Sequence, residues 1–245
     1  MKRPLFLLML VFFASPLAAA DPKFNADAAM KKLAPFIDDE TFLVQRLDLR
    51  RLDLAAAVSL AEPILPTASI VKETVRSMQS TLNKNGAREI YIVYDATDFS
   101  NSPCVLVPLG EWPVERKGLY ETLRQFYQGE ETAWENINGF WCIGVKAGLT
   151  RLKSRKPSER PDIAEALAST GDSPLQAVFA PTAAMRKVFE DIAPKLPDEI
   201  GGGSIQTFTK GLKWVSLAVG PAPNIEARII FKETFLDIST SCKNS

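Results

Sequence analysis

Ser69 and Lys72 stand in the tetrapeptide Ser69-Ile70-Val71-Lys72. This is the S-x-x-K spacing that puts a lysine amine one helical turn from a serine hydroxyl and activates it for acyl transfer, as in penicillin-binding proteins and serine β-lactamases. The companions of that chemistry are missing: no S-D-N occurs, and Thr209-Lys210-Gly211 runs in the wrong order for K-T-G. Val71 also falls on an apolar helical stripe, so Ser69 and Lys72 read as flanking residues in solvent. A four-residue pattern of this kind recurs by accident, and the favoured reading of this one is structural.

Histidine is absent from the whole chain. Without an imidazole neither a Ser-His-Asp nor a Cys-His nucleophile can be assembled, because the base that titrates near neutrality is lacking. Zinc would have to rely on Cys104, Cys142 and Cys242 with carboxylates, and no C-x-x-C spacing is present, so no metal site is expected. Two oxygen-rich clusters remain, Asp38-Asp39-Glu40 and Asp95 with Asp98, Ser100 and Asn101. Calcium prefers such ligands, but the EF-hand spacing is absent and these residue types form turns by bonding to their own backbone. A carboxylate pair could hydrolyse glycosides without histidine, yet no Asp or Glu stands in a distinctive setting. No cofactor motif is found; Gly201-Gly202-Gly203-Ser204 lacks the lysine of a phosphate-binding loop and reads as a flexible joint.

Other segments weigh toward packing. Trp112, Trp134, Trp141 and Trp214 could stack against sugar rings, but three of them sit in or beside strands, where large aromatics fill cores. The run RLKSRKPSER (Arg151 to Arg160) carries five basic residues against one acid. Beside its proline, such a run reads as a solvated connector rather than an anion-binding surface. Cys104 and Cys142 each lie in an apolar strand-like segment, whereas Cys242 lies in a polar tail, so the first two are the better disulfide candidates. Closing that loop would contribute about 4 kcal/mol in the chain-entropy model. The alternative is two buried thiols, and both readings stand at this point.

The address is plainer. Lys2 and Arg3 precede an apolar run from Leu5 to Leu17, and Ala18-Ala19-Ala20 precede Asp21, the order of a secretory signal peptide cut between Ala20 and Asp21. The run is too short to span a bilayer and is broken by Ser15-Pro16, so no transmembrane segment is expected after cleavage. Asp21 rather than cysteine at the junction argues against a lipid anchor, and a periplasmic or secreted product follows. The leader holds two of the 29 basic residues and none of the 29 acids, which leaves a mature net charge of about −2 and no basic field for nucleic acid.

The elements that would position these residues follow from periodicity. A short helix spans Ala26 to Leu33, and Thr41 to Asp48 (TFLVQRLD) has strand composition. Val71, Val75, Met78 and Leu82 form one face of a helix that stops at Asn85-Gly86. REIYIVYD and CVLVPL form a hairpin with a long loop. A helix carries Leu119, Tyr120, Leu123, Phe126 and Tyr127. TAWENI and FWCIGV flank Asn138-Gly139, a type I′ hairpin turn. Pro161-Asp162 opens the helix IAEALA. LQAVFA reads as a strand; Met185, Val188, Phe189 and Ile192 mark a core-facing helix stripe; LKWVSLAVG and IEARIIFK form a last hairpin. Both halves therefore read strand, helix, hairpin, and the expected fold is α+β, built from duplicated βαββ units of mainly antiparallel sheet with helices packed on one face. The expected divisions are a signal peptide at 1–20, a first unit at 21–150, a basic connector with a short helix at 151–172, and a second unit at 173–245.

Three segments, FIDDETFLVQRLDLRRLD, RPDIAEALASTGDSPLQAVFAP and GLKWVSLAVGPAPNIEARIIFKE, resemble an uncharacterised family of exported bacterial proteins of planctomycete type. The resemblance covers most of the mature chain and implies secretion and fold, but no catalytic residues. Relatives continue with an Ala-rich helix after the last strand, where this chain passes into ETFLDISTSCKNS, which suggests a truncated or divergent C-terminus. The function expected from all this is a non-enzymatic interaction or scaffolding module that binds a protein or cell-envelope partner. The alternative is a periplasmic hydrolase using carboxylates or the Ser69/Lys72 pair.

Overall fold

The computed structural model describes residues 24–59, 68–96, 103–109, 115–127, 131–192, 195, 203–221 and 226–233. The expected leader with its expected Ala20/Asp21 junction, Trp112, Asp98, Ser100, Asn101, Gly201, Gly202 and Cys242 lie outside them.

Local chemistry accounts for most of the elements. Helix α1 (Ala26–Leu33) starts where the Asn25 side chain accepts a hydrogen bond from Ala28 N at 2.8 Å, with Asp27 in its first turn and Lys31 and Lys32 in its last, each sign matched to the helix dipole. Strand β1 (Thr41–Asp48) is followed by α2 (Leu54–Ser59) and α3 (Ala68–Lys84). Gly86 ends α3 with φ 86°, while its N–H bonds Asn83 O and that of Ala87 bonds Leu82 O, the two hydrogen bonds of a Schellman stop. Strands β2 (Glu89–Asp95) and β3 (Cys104–Pro108) pair antiparallel, and α4 (Arg116–Leu123) leads through a 3-10 turn, Arg124–Tyr127, to β4 (Thr132–Ile137). The β4–β5 turn places Asn138 at φ 47° and Gly139 at φ 80°, as an Asn-Gly hairpin demands, and β5 covers Phe140–Val145. Then follow α5 (Lys146–Ser154), α6 (Pro161–Ser169) with proline in its first turn, β6 (Leu175–Phe179), α7 (Ala183–Ile192), α8 (Ile205–Gly211), β7 (Leu212–Val219) and β8 (Ala227–Glu233).

The eight strands form one sheet in the order β4-β5-β3-β2-β1-β6-β7-β8, and every neighbouring pair is antiparallel. The protein is thus α+β. Strands from both sides of the 151–172 segment join at the β1–β6 ladder, where Gln45 lies opposite Ala177.

The expected one-sided covering of helices is corrected. On one face Leu33 of α1, Leu149 and Leu152 of α5, and Ile163, Ala166 and Leu167 of α6 pack with Val44, Tyr91, Leu106, Cys142, Val178 and Trp214. On the other, Leu54, Leu82, Leu119 and Leu123 from α2, α3 and α4 pack with Leu47, Ile90, Val105, Trp141 and Ile143, while Met185 of α7 meets Phe42 and Leu43. The reason lies in the strands themselves: β1 is buried along its whole length and β5 likewise, so residues pointing both ways are shielded. A strand buried on both sides needs a layer on each. The basic stretch is corrected too, since Arg151–Ser154 completes α5 instead of forming part of a connector. Helix α8 was not anticipated, because its sequence IQTFTKG lacks a long apolar stripe.

Candidate functional site

The densest chemistry on the molecule surrounds the segment between α5 and α6. Arg155 reaches into the end of the β1–β2 ladder with its side chain only 5% exposed, beside Asp95, itself 7% exposed. Its Nη2 bonds Asp95 Oδ2, its Nη1 donates to Phe36 O, and its Nε lies 3.0 Å from Asp38 Oδ2. The Thr41 hydroxyl lies 3.0 Å from Asp95 Oδ1 and 3.1 Å from Asp38 Oδ1, so one proton serves two carboxylates. Burial pulls the Arg155 guanidinium below the usual arginine range, and the nearby Asp38 carboxylate opposes that pull. Five residues on, Arg160 grips Asp162 through two bonds, Nε to Oδ1 at 2.9 Å and Nη2 to Oδ2 at 2.7 Å. It also donates to Thr41 O, and to Asp38 O and Ala180 O at 3.3 and 3.2 Å. The solvated connector expected from sequence is corrected for two of its three arginines: Arg155 and Arg160 are spent on the carboxylates of Asp38, Asp95 and Asp162 and on strand-end carbonyls, fastening α5 and α6 to β1, β2 and β6, while Lys153, Lys156 and Glu159 are exposed.

Beside this cluster is a cavity of about 10 Å³ lined by Asp95, Cys104, Gly148, Leu152 and Arg155 among others, room for a single water. A Cβ on Gly144 would approach Cys104 Sγ to 3.0 Å, so the thiol is wedged against the β5 backbone. Burial pushes the Cys104 thiol up to about 12, with Cys142 adding to it. At neutral pH only about one thiol in 10⁵ would then be ionised, too few for a nucleophile. Cys142, raised to about 12 by its own burial, is inert for the same reason.

Of the two readings left open for Cys104 and Cys142, a disulfide or two buried thiols, the structure has the second: both are free buried thiols. Register explains it. Cys142 lies directly opposite Leu106, which places Cys104 opposite Gly144 and leaves the two cysteines on a diagonal. Diagonal neighbours stand roughly 7–8 Å apart, beyond the roughly 4.4–6.8 Å between Cα atoms that a disulfide bridges.

A second ionic cluster occupies the other end of β1. Arg46, 7% exposed, has Nε 2.5 Å from Glu89 Oε1 and Nη1 3.1 Å from Gln176 Oε1, with the Phe24 ring centroid 4.4 Å from its guanidinium carbon. Asp48 accepts from Arg50 Nε at 3.2 Å and from Arg51 Nε at 2.9 Å, while Arg51 clasps Asp172 at 2.8 and 3.0 Å. Burial alone would raise the Asp48 carboxyl, but the hydrogen bonds from Arg50 and Arg51 more than offset it and hold it below the ordinary range. In both clusters every buried charge has a partner, which is the pattern of a fastening.

The remaining candidates are scattered. Ser69 and Lys72 both lie in the first turns of α3, where Lys72 is half-buried; the Ser69 side chain lies outside the described residues. Val75, Met78 and Leu82 of that helix pack into the core as the stripe predicts. Asp38 serves a turn, accepting from Glu40 N at 3.0 Å, as well as Arg155. Among the described residues no group of three or more Cys, Asp or Glu is placed to hold a metal ion. Trp141 and Trp214 are buried; Trp134 is 45% exposed, its ring 5.7 Å from that of Trp141.

The most distinctive surface is one that periodicity assigned to the core. On α7 only Met185 is buried, whereas Val188 is 51%, Phe189 40% and Ile192 76% exposed. Sequence reasoning could not find this, because an apolar stripe on a docked helix and one on a binding helix have the same period. No family model, no curated protein and no solved structure matches the chain.

Proposed function

We propose that this chain is an exported, non-enzymatic interaction or scaffolding module of the cell envelope, acting in the periplasm or after release. One observation carries the reading: three large apolar side chains, Val188, Phe189 and Ile192, stand in water on one helix, whereas the other exposed large apolar residues among the described ones, Trp134 on β4 and Phe231 on β8, stand singly on the edge strands of the sheet. Contiguous exposed apolar surface of this kind marks contact sites. The polar clusters support the same reading from the other side, since their carboxylates and guanidiniums are engaged with one another. Export rests on the leader at residues 1–20. Among the described residues no helix is long and apolar enough to cross a membrane.

We also infer that the fold arose by duplication of a βαββ unit. The support is the order β3-β2-β1-β6-β7-β8 within the sheet, which reads the same outward from the β1–β6 ladder in both directions, with helices between the first and second strand of each half.

The experiment is a pull-down from a cell-envelope extract with the purified protein and with V188E/I192E. A specific partner recovered by the first and lost by the second is the expected result. Turnover of an envelope compound that disappears on replacing a single acid, Ser69 or Lys72 would overturn it. For the address, the N-terminus of the protein recovered from the producing cells should begin at Asp21, and an intact Met1 would remove the export reading.

A further inference from the structure

The contact-surface reading of α7 leaves open what covers it, and the chemistry of the helix itself names an occupant. Residues 184, 188 and 192 recur every four positions, which advances them only about 40° each around the helix and aligns Ala184, Val188 and Ile192 in one ridge. All three are exposed. The flank toward α8 is a different one: Glu190 accepts from the Thr209 hydroxyl of α8 at 2.7 Å. At roughly 100° per residue Val188 and Ile192 each lie about 160° around the helix from Glu190, so α8 does not cover them. Toward the sheet, Met185 packs with Phe42 and Leu43, and Phe189 meets the Phe179 ring edge-on at 6.5 Å between centroids.

Along the other border of the ridge stand Lys187 and Asp191, both exposed and without an ion pair among the described residues. Together these features are self-complementary. We propose that the α7 ridge packs against the α7 ridge of a second copy, antiparallel about a two-fold axis through Val188. In that arrangement small Ala184 faces large Ile192 of the other copy at both ends of the contact. The same flanks meet, so Lys187 comes beside the partner copy's Asp191, and by symmetry this happens twice. The two lie two residues, about 3 Å, off level, well within the reach of a lysine side chain. A parallel pairing, whose two-fold axis runs along the helices, would put the two Lys187/Asp191 borders on opposite sides of the contact, so only the antiparallel one brings these charges together. Because the contact is isologous it closes at two copies. A single helix pair is a small interface, and the dimer is therefore weak and concentration-dependent.

This inference rests on the proposed role of α7 as a contact surface, and the experiment separates the two. Sedimentation equilibrium of the purified protein over a hundredfold range of concentration should reveal a reversible dimer. V188E/I192E should abolish it while the melting temperature stays unchanged, since both side chains are exposed. K187D or D191K alone should weaken association about tenfold by turning two attractions into repulsions, and K187D/D191K should restore it, because the swapped pair is again complementary. A protein monomeric throughout the range, a dimer indifferent to V188E/I192E, or single reversals without effect each overturns the second-copy proposal. If the protein is monomeric yet V188E/I192E still loses an envelope partner, the contact surface stands and only its occupant is wrong. If the substitution changes neither association nor capture, both readings fall.

Discussion

The segment from α5 to α6 and helix α7 invert the usual rule of burial within one molecule. The first puts Arg155 at 5% exposure between two carboxylates, and the second holds Ile192 at 76% exposure in water. Each arrangement would be unfavourable alone. A buried guanidinium is tolerated because Asp38, Asp95, Thr41 and the Phe36 carbonyl meet it, so its desolvation is offset by charge and hydrogen bonds that are themselves shielded from water. The exposed Ile192 has no such compensation among the described residues, and the proposed contact surface is what would supply it. Charge turned inward fastens the fold to itself, while apolar surface turned outward leaves it available to something else.

The largest expected effect comes from breaking the inward side of this contrast. Arg155→Ala leaves Asp95 as an uncompensated buried carboxylate and should cost about 3–5 kcal/mol in urea-unfolding free energy. A cost no larger than that of an exposed arginine would mean the cluster fastens nothing. In R155M/D95N the loss should be clearly smaller than the sum of the single losses, which a double-mutant cycle reads directly.

The packing beneath that cluster gives the next test. Gly144→Ala brings a methyl to 3.0 Å of Cys104 Sγ and should destabilise by about 1–3 kcal/mol. Cys104→Ala in the same protein should recover part of the loss by removing the sulfur. In the unsubstituted protein both thiols should resist alkylation at pH 7 until unfolding, and Arg155→Ala should accelerate the reaction at Cys104, whose pocket it helps to line.

A pH series sharpens the same side at the opposite end of β1. The Asp48 carboxyl is depressed in the folded state, so it contributes stability that is fully present above its unfolded value of about 3.9 and is lost as pH falls through the lower folded value. The stability gap between the protein and D48N should accordingly be about 1 kcal/mol near neutrality and shrink as the pH is taken below about 4. A gap constant down to pH 2 would show that Arg50 and Arg51 do not bind the charge of Asp48. The smallest effect belongs to the outward side: V188E/I192E should move unfolding free energy by no more than about 0.5 kcal/mol. A loss of several kcal/mol would show that these side chains are part of the core after all.

Much of the fold is legible in short stretches of chain. Thr41 to Asp48 is a strand because its β-branched and aromatic residues suit an extended backbone, and the hairpin from Thr132 to Val145 is set by Asn138-Gly139. The stop of α3 at Gly86 and the start of α6 at Pro161 are equally local. The ionic clusters are not. Arg155 and its carboxylates, Asp38 and Asp95, are separated by scores of residues, and nothing in RLKSRKPSER distinguishes a guanidinium that will meet them from one that will meet water. The cysteines make the same point: two apolar segments mark Cys104 and Cys142 as neighbours in a sheet, but a disulfide depends on register, and the register sets them on a diagonal.

Backbone preference, turn chemistry and the period of apolar residues act over a few positions, so the sequence marks where most of the strands and helices begin and end, and it alone shows the lack of any imidazole. Which side of each element meets protein and which meets water is a property of pairs of elements distant along the chain. Only the assembled sheet decides that helices clothe both its faces, that Arg155 goes in and that Ile192 stays out, because burial is a sum over neighbours that no local stretch contains.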